Sequence, residues 1–457
     1  MMNATKKLCF VVSSNVHVRN YLTSNALNAI TDDHDCIFLI SDAVTVPSEL
    51  KDRHIVKIFT STSPKEHQFL FEMMMFSLRK MSSTFCFRIK RFYFPKPDDK
   101  QNRQHSISSR AYFWLKSIYR LGLWLWMMAL TLPIIRRVTI PLAKLRLKPN
   151  QHLRSLIEDF NPDLIIAPSS SYDPDNMDVL LWANDKNTQT MFIIDNWDNL
   201  SSKSVLFVRP DYISVWGEQC VEHAVNIHQM KREQVFTLGT PRFDQYFCTR
   251  NKKLKSPFPH PYFLFVGTAV EFDEYAALEA LNEVIEGNEN FKNHVVVYRP
   301  HPWRQSNDVF SVDDLKHVKI DPQIMAAFQS GDKTQQPDLE YYPALLQNAK
   351  CCLGGMTTML VESLLMKTPF LALIWDDKNF ITNMKDVYHH YMHFNNIEQI
   401  SSLYFSHHPS TLCEDLINIC ANKTVSDTDK LDAELNYFYT IHDNMFAERL
   451  TKVISTL

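Results

Sequence analysis

The residues best suited to chemistry stand in short runs. Val295–Arg304 reads VVVYRPHPWR, an apolar run that ends in Arg299 and His301, each followed by a proline. Proline lacks a backbone donor and fixes its own φ, so the pair would hold a guanidinium and an imidazole rigidly where the chain leaves a strand. Residues 351–365 read CCLGGMTTMLVESLL: a buried strand, two glycines, two threonines and a helix. Gly354 and Gly355 let a backbone approach a ligand closely, while Thr357 and Thr358 stand at the N-cap region, where free N–H groups favour an anion. Glu362 shares the face of Thr358 and is placed to accept from ribose hydroxyls. Gly267 and Thr268, in VGT, follow another apolar run and approach the same phosphates. In a doubly wound half, neighbouring strand ends meet at one crevice. Arg299 and His301 would then stabilise charge developing on a leaving nucleotide phosphate. Taken alone, the Gly-Gly-x-Thr-Thr run is explained equally well as a capped core helix with one tolerated acid.

A second cluster, DNWDNLSSK at 195–203, ends a strand in dense polar groups. Asp198, or as second choice Asp195, would serve as general base toward a hydroxyl, with Lys203 orienting charge and Asn199 beside it. The plain alternative is an Asx-rich turn. His17, Arg19 and Asn20 leave the first strand on the same side and are candidates for binding an acceptor. In GTPRFD (239–244), Arg242 and Asp244 are expected to pair with each other.

The elements that must position these residues follow from periodicity. LCFVVSS, DCIFLIS and HIVKIFT are short β-branched runs, with a helix expected over Tyr21–Ile30 after the first. After a basic insertion, helices and strands alternate through LIIAPSS, TMFIID, DYISVWG and VFTLG. A lysine- and proline-rich stretch, CTRNKKLKSPFPHP, reads as a domain linker. A second alternation then runs through YFLFVGT, HVVVYRPHP, HVKID, CCLGG and PFLALIW. Strands alternating with helices, without long period-2 patterns, indicate parallel sheets wrapped by helices. The expected plan is α/β: residues 1–250 as an acceptor domain with an insertion at 65–155, residues 256–425 as a nucleotide-donor domain, and 426–457 as one long helix packing back across both. Leu431, Leu435, Phe438 and Ile441 supply its helical spacing.

Charge is nearly balanced overall at −3, but unevenly spread. Between Met73 and Ile157 there are 17 Lys/Arg and two acids, Asp98 and Asp99, while the remainder carries 31 basic and 49 acidic residues. From Lys100 to Arg154 there is no acid at all. The charge-free core of that stretch, Leu121–Ile135, has 15 residues and contains Gly122 and Pro133, short of the roughly 20 a spanning helix needs. Trp114, Trp124 and Trp126 interleaved with Arg120, Arg136 and Arg137 suit the headgroup level of an anionic inner membrane. A buried helical hairpin is the alternative. Contiguous Leu, Trp and Met do not suit a phosphate groove, so no nucleic-acid partner is expected. The nine cysteines are odd in number and contain no CxxC pair, which fits buried thiols in a reducing compartment.

Taken together, WDNLSSK, DYISVWGE, LGTPRFDQYF, VVVYRPHP and GGMTTMLVESLLMKTP resemble, over roughly residues 160–375, a bacterial family of two-Rossmann (GT-B) transferases of surface polysaccharide biosynthesis. These are often grouped with CDP-glycerol glycerophosphotransferases. The His-Pro and paired-hydroxyl arrangement is also similar to that of bacterial sialyl- and Kdo-transferases, although the acidic pair before glycine that those enzymes use as base is absent. The resemblance implies that His301 acts on the donor phosphate and that Thr357 and Thr358 bind it. It implies a metal-independent glycosyltransferase with two Rossmann-like domains facing a cleft; together with the basic insertion, the expected place is cytoplasmic and peripherally attached to the inner membrane. A nucleotide-sugar donor of CMP, CDP or UDP type would be a co-substrate, with no resident cofactor, and a glycan or lipid-linked molecule the acceptor. The alternatives are a CDP-polyol phosphotransferase, a sugar-nucleotide epimerase and a non-catalytic scaffold.

Overall fold

A computed structural model of the chain describes residues 5–46, 50, 55–94, 107–169, 173–206, 208–270, 272–302, 311–329, 339–376, 382–421 and 428–457. The chain divides into two compact units. One is built from residues up to Phe94, Arg110–Arg242 and Tyr437–Leu457, the other on Phe243–Asn436.

Among the described residues, the first unit holds a parallel sheet in the order β3-β2-β1-β4-β5-β6-β7. Its strands are β1 (Lys7–Val12), β2 (Asp35–Ser41), β3 (Ile55–Phe59), β4 (Leu164–Ser169), β5 (Gln189–Ile194), β6 (Tyr212–Ser214) and β7 (Val235–Phe236). The central strands are buried along nearly their whole length, as their continuous apolar runs require of a sheet covered on both faces. One face packs Leu8, Phe10 and Ile166 against Tyr21, Ile30 and the C-terminal residues Phe446, Leu450 and Ile454.

The helix expected over Tyr21–Ile30 is instead three short pieces, a π-helical turn Val18–Leu22, a 3-10 turn Asn25–Leu27 and the helix Asn28–Asp33. Polar side chains compete for the backbone there: Thr23 and Ser24 hydroxyls donate to the carbonyls of Arg19 and Asn20.

The second unit holds the order β10-β9-β8-β11-β12-β13, again all parallel among the described residues. These strands are β8 (Tyr262–Val266), β9 (Val295–Arg299), β10 (Val318–Ile320), β11 (Ala349–Gly354), β12 (Phe370–Leu373) and β13 (Leu403–Ser406). The division falls at Arg242 rather than near residue 250, because the helix Asp244–Thr249 is held by the second unit: the Tyr246 hydroxyl donates to Glu362.

The single closing helix expected over 426–457 is two. Thr428–Leu435 lies in the second unit and Phe446–Thr456 in the first. Between them the backbone is captured by tertiary bonds: Gln219 N–H donates to the Tyr437 carbonyl (2.9 Å) and Thr440 N–H to the Trp216 carbonyl (2.9 Å). The approach is close enough that a Cβ on Gly217 would lie 2.7 Å from the Phe438 carbonyl carbon.

The basic insertion forms its own helical layer in the first unit: Pro64–Leu78, Ser83–Tyr93, Ile107–Leu130 and Pro133–Leu145. Met73, Phe76, Ile89, Tyr93 and Met127 make a small separate core for it. The Ser82 hydroxyl donates to the Ser201 carbonyl at 2.6 Å, tying this layer to the turn that follows β5.

Candidate functional site

In the second unit three strand ends are level. Val266 of β8 is in register with Arg299 of β9 and with Gly354 of β11, and Gly267 N–H donates to the Arg299 carbonyl at 2.8 Å. The three following turns therefore emerge side by side and pack directly on one another. A Cβ on Gly267 would lie 2.6 Å from the His301 nitrogen; on Gly354, whose φ is +156°, it would lie 2.3 Å from the Val266 carbonyl oxygen. On Gly355 it would meet Thr268 at 2.9 Å and the Met384 sulfur at 2.7 Å. Glycine is thus demanded by close approach, but of these turns to one another, where the sequence suggested the approach of a ligand to Gly354 and Gly355.

A buried carboxylate overlooked in the sequence, Glu274, knits these turns: it accepts from Thr268 N–H (3.0 Å) and from the Tyr298 hydroxyl (2.6 Å). His301, Thr357 and Thr358 are half-buried. Thr358 is the N-cap of the helix Met359–Leu365, and its hydroxyl makes no capping bond. Glu362 lies in that helix's first turn, buried, with the Tyr246 hydroxyl at 2.5 Å.

Arg299 departs from the simplest expectation. Its buried guanidinium donates to the Tyr342 hydroxyl at 2.7 Å and lies 4.9 Å over that ring. Burial opposes its charge, but Tyr342, Glu362 and Asp321 outweigh that and raise its pKa. Arg299 is therefore a fixed positive charge beneath the strand ends. Asp321, which accepts from the Tyr341 hydroxyl at 2.9 Å, is shifted upward by burial.

In the first unit Asp195 ends β5. It is fully buried, and its N–H donates to the Ser169 carbonyl of the neighbouring β4 at 3.1 Å. The Asn20 amide donates to one carboxylate oxygen at 3.2 Å, and the other has no partner among the described residues. Arg19 donates to the Asn20 side-chain oxygen Oδ1 through Nε and Nη2, both at 3.2 Å. His17 is buried with its ring edge-on to Tyr21, and neither ring nitrogen has a partner among the described residues. Burial lowers the His17 pKa against the opposing charges of Asp195 and Asp173. Burial, then the Asp195 charge, push Tyr21 well up.

Asn199 is buried and donates to the Ser169 carbonyl at 3.3 Å. Asp198 and Lys203 do meet, at 2.7 Å, with the Asp198 side chain 14% exposed. The two candidate bases are thereby separated by setting: Asp195 is sealed, and Asp198 is reachable and ion-paired. Arg242 lies 5.3 Å over the Trp216 ring and donates to Asn196 at 3.3 Å. The phenols Tyr21, Tyr246, Tyr298 and Tyr342 were not legible as site residues, since each is defined by a partner distant in sequence. Among the described residues no group of three or more His, Cys, Asp or Glu is arranged to hold a metal ion.

No family model matches the chain, and no curated protein matches it at a significant level. Solved structures do. A Listeria monocytogenes protein provisionally assigned as a UDP-N-acetylglucosamine 2-epimerase aligns with TM-score 0.55 and 11% identity, covering 99% of this chain and 96% of that one. The UDP-GlcNAc 2-epimerase of Methanocaldococcus jannaschii aligns with TM-score 0.51 and 10% identity over 99% and 100%. The wall teichoic acid polymerase TagF reaches 0.47 at 11% identity over 100% and 89%, too distant to support an argument. At these identities the likeness is one of fold: two parallel sheets of seven and six strands, each wrapped by helices, in the two-domain GT-B architecture.

Proposed function

We propose that this chain is a nucleotide-sugar-dependent glycosyltransferase that passes a sugar to a surface-glycan acceptor, lipid-linked or free. One observation carries the reading. Three strand ends meet at turns whose glycines admit no Cβ, with His301, Thr357 and Thr358 half-buried there and Thr268 buried behind them. Such a frame suits a phosphate, because an imidazole and two hydroxyls stand at these turns with the buried Arg299 charge close by.

In this reading the donor half of the reaction belongs to the second unit. His301 and the threonine hydroxyls take up charge on the departing phosphate, with Arg299 as a fixed positive charge behind them. Glu362, steadied by Tyr246, accepts from the ribose. The acceptor half belongs to the first unit, where Asp198 takes the proton of the attacking hydroxyl and Lys203 orients it. Asp195 holds the loop of His17 and Asn20.

The likeness to epimerases supports a second reading in which a UDP-sugar is inverted at C2 without an acceptor. A thermal-shift panel of CMP, CDP, UDP, GDP and dTDP with AMP as control tests both. A nucleotide at about 100 times its dissociation constant adds about 2.7 kcal/mol to the folded state. One nucleotide is expected to raise the midpoint, and His301→Ala to abolish the rise. Incubation with the matching sugar nucleotide then separates the readings, transfer releasing free nucleotide only with acceptor and epimerisation altering the sugar alone. No response to any nucleotide would overturn both.

A further inference from the structure

We propose that the helix pair Ile107–Leu130 and Pro133–Leu145 is a one-leaflet dock for an anionic lipid bilayer. The inference stands apart from the reaction proposed above.

The second helix has no buried residue at all. It is amphipathic, yet its apolar stripe faces outward: Ile134 is 80% exposed and Leu145 82%, and Ile135, Val138 and Leu142 lie exposed on the same side. The long helix repeats the inversion. Trp114, Leu115, Ile118, Leu121, Leu125 and Trp126 are exposed and fall on one uncharged arc, while Met127 turns into the small core behind. Of the 21 large hydrophobic residues that stand exposed among the described residues, 13 lie between Trp114 and Leu145. A surface this apolar and contiguous marks a contact with something other than water.

The charge selects the occupant. Residues 107–148 carry eight Lys/Arg and no acid. A second copy of the chain seated on this face would press two like-charged rims together, whereas anionic headgroups complement them. Tryptophan and tyrosine beside arginine and lysine is the composition of the headgroup level.

The geometry selects the depth. The helices meet at 94°, and no single helix among the described residues is long and apolar enough to cross a membrane. Pro133 opens the second helix, and the Thr139 hydroxyl donates to the Leu130 carbonyl across the elbow at 3.1 Å, which fixes the bend. At 1.5 Å per residue a 13-residue helix is about 20 Å long, well short of the roughly 30 Å hydrocarbon core, so it lies in the interface rather than across it. Trp124, expected in the lipid contact, is not in it. Two residues round from Trp126 is about 160° away on a helix, and Trp124 packs inward, edge-on to Phe94 at 5.6 Å. Arg120 is half-buried, and Arg136 and Arg137 are exposed.

The test is flotation of the full chain with vesicles of phosphatidylcholine alone or with a quarter phosphatidylglycerol, at low and high salt. Binding is expected only with the anionic vesicles, weakened at 0.5 M salt. Ile134→Glu with Leu145→Glu should cut it at least tenfold, and Arg136→Glu with Arg137→Glu should remove the preference for phosphatidylglycerol. Both pairs lie on the surface, so an unchanged melting temperature will show that the fold is kept. Failure of the wild type to float, or flotation indifferent to both pairs, overturns the proposal. A wild-type dimer made monomeric by the Glu pair overturns it too, assigning the face to a second copy.

Discussion

The strand ends of the two units treat their buried acids differently. In the second unit three have a tyrosine: Tyr246 donates to Glu362, Tyr298 to Glu274 and Tyr341 to Asp321. A phenol is a neutral donor that fixes a carboxylate without cancelling its charge. In the first unit Asp195 has one amide on one oxygen, and beside it lie a histidine and an asparagine with unmet atoms among the described residues. Unmet buried polar atoms cost stability, and proteins retain them chiefly where they serve something else. The contrast is one of degree: Arg299 Nε and one Asp321 oxygen are also unmet among the described residues, but each of those three carboxylates accepts from a phenol at hydrogen-bond distance, where Asp195 accepts from an amide at 3.2 Å.

The comparison breaks most readily at the frame. Gly354→Ala would press a methyl against the Val266 carbonyl at a φ that side chains rarely adopt. A loss of about 2–3 kcal/mol is expected in urea unfolding, together with loss of any nucleotide response; an unchanged midpoint would mean the strand ends are looser than described. Next in size is acid sensitivity of the first unit. Burial lowers His228, which faces the Leu200 carbonyl at 2.7 Å, to about 4, and lowers His17 as well. Each folded-state pKa lies below its unfolded value near 6.5, so the unfolded chain binds the extra proton. Stability is therefore full above about pH 6.5 and lost as pH falls toward 4, with about 2 kcal/mol from His228 alone at pH 5. His228→Gln should flatten that slope. The smallest effect sharpens the contrast directly. Tyr246→Phe strips Glu362 of its hydroxyl and should cost about 1–2 kcal/mol. Asp195→Asn, which keeps an acceptor for Asn20, should change stability by under about 1 kcal/mol. Equal losses in the two variants would erase the distinction.

How much of this was legible varies with the reach of the interaction. The strands were readable because a sheet buried on both faces needs continuous apolar runs, and Val295–Arg299 ends where Arg-Pro-His-Pro says it must. That no single helix there is long and apolar enough to span was readable from a charge-free run too short for it, while the bend at Pro133 was not. Pairings such as Asn20 with Asp195, 175 residues apart, or Tyr246 with Glu362, 116 apart, leave no local trace. The closing helix misled for the opposite reason. Its periodicity through Phe438 and Ile441 was genuine, and backbone bonds to Trp216 and Gln219 overrode it.

That closing segment also sets a clock. The first unit is drawn mostly from residues up to Arg242 but closes with Tyr437–Leu457, whose Phe446, Leu450 and Ile454 belong to its core. Between Arg242 and Tyr437 a ribosome adding about 5–20 residues per second needs roughly 10–40 s. For that interval one face of the first sheet lacks its last layer while the apolar helices of the insertion are already made. The order of synthesis therefore leaves that face of the sheet uncovered until Phe446–Thr456 has been made.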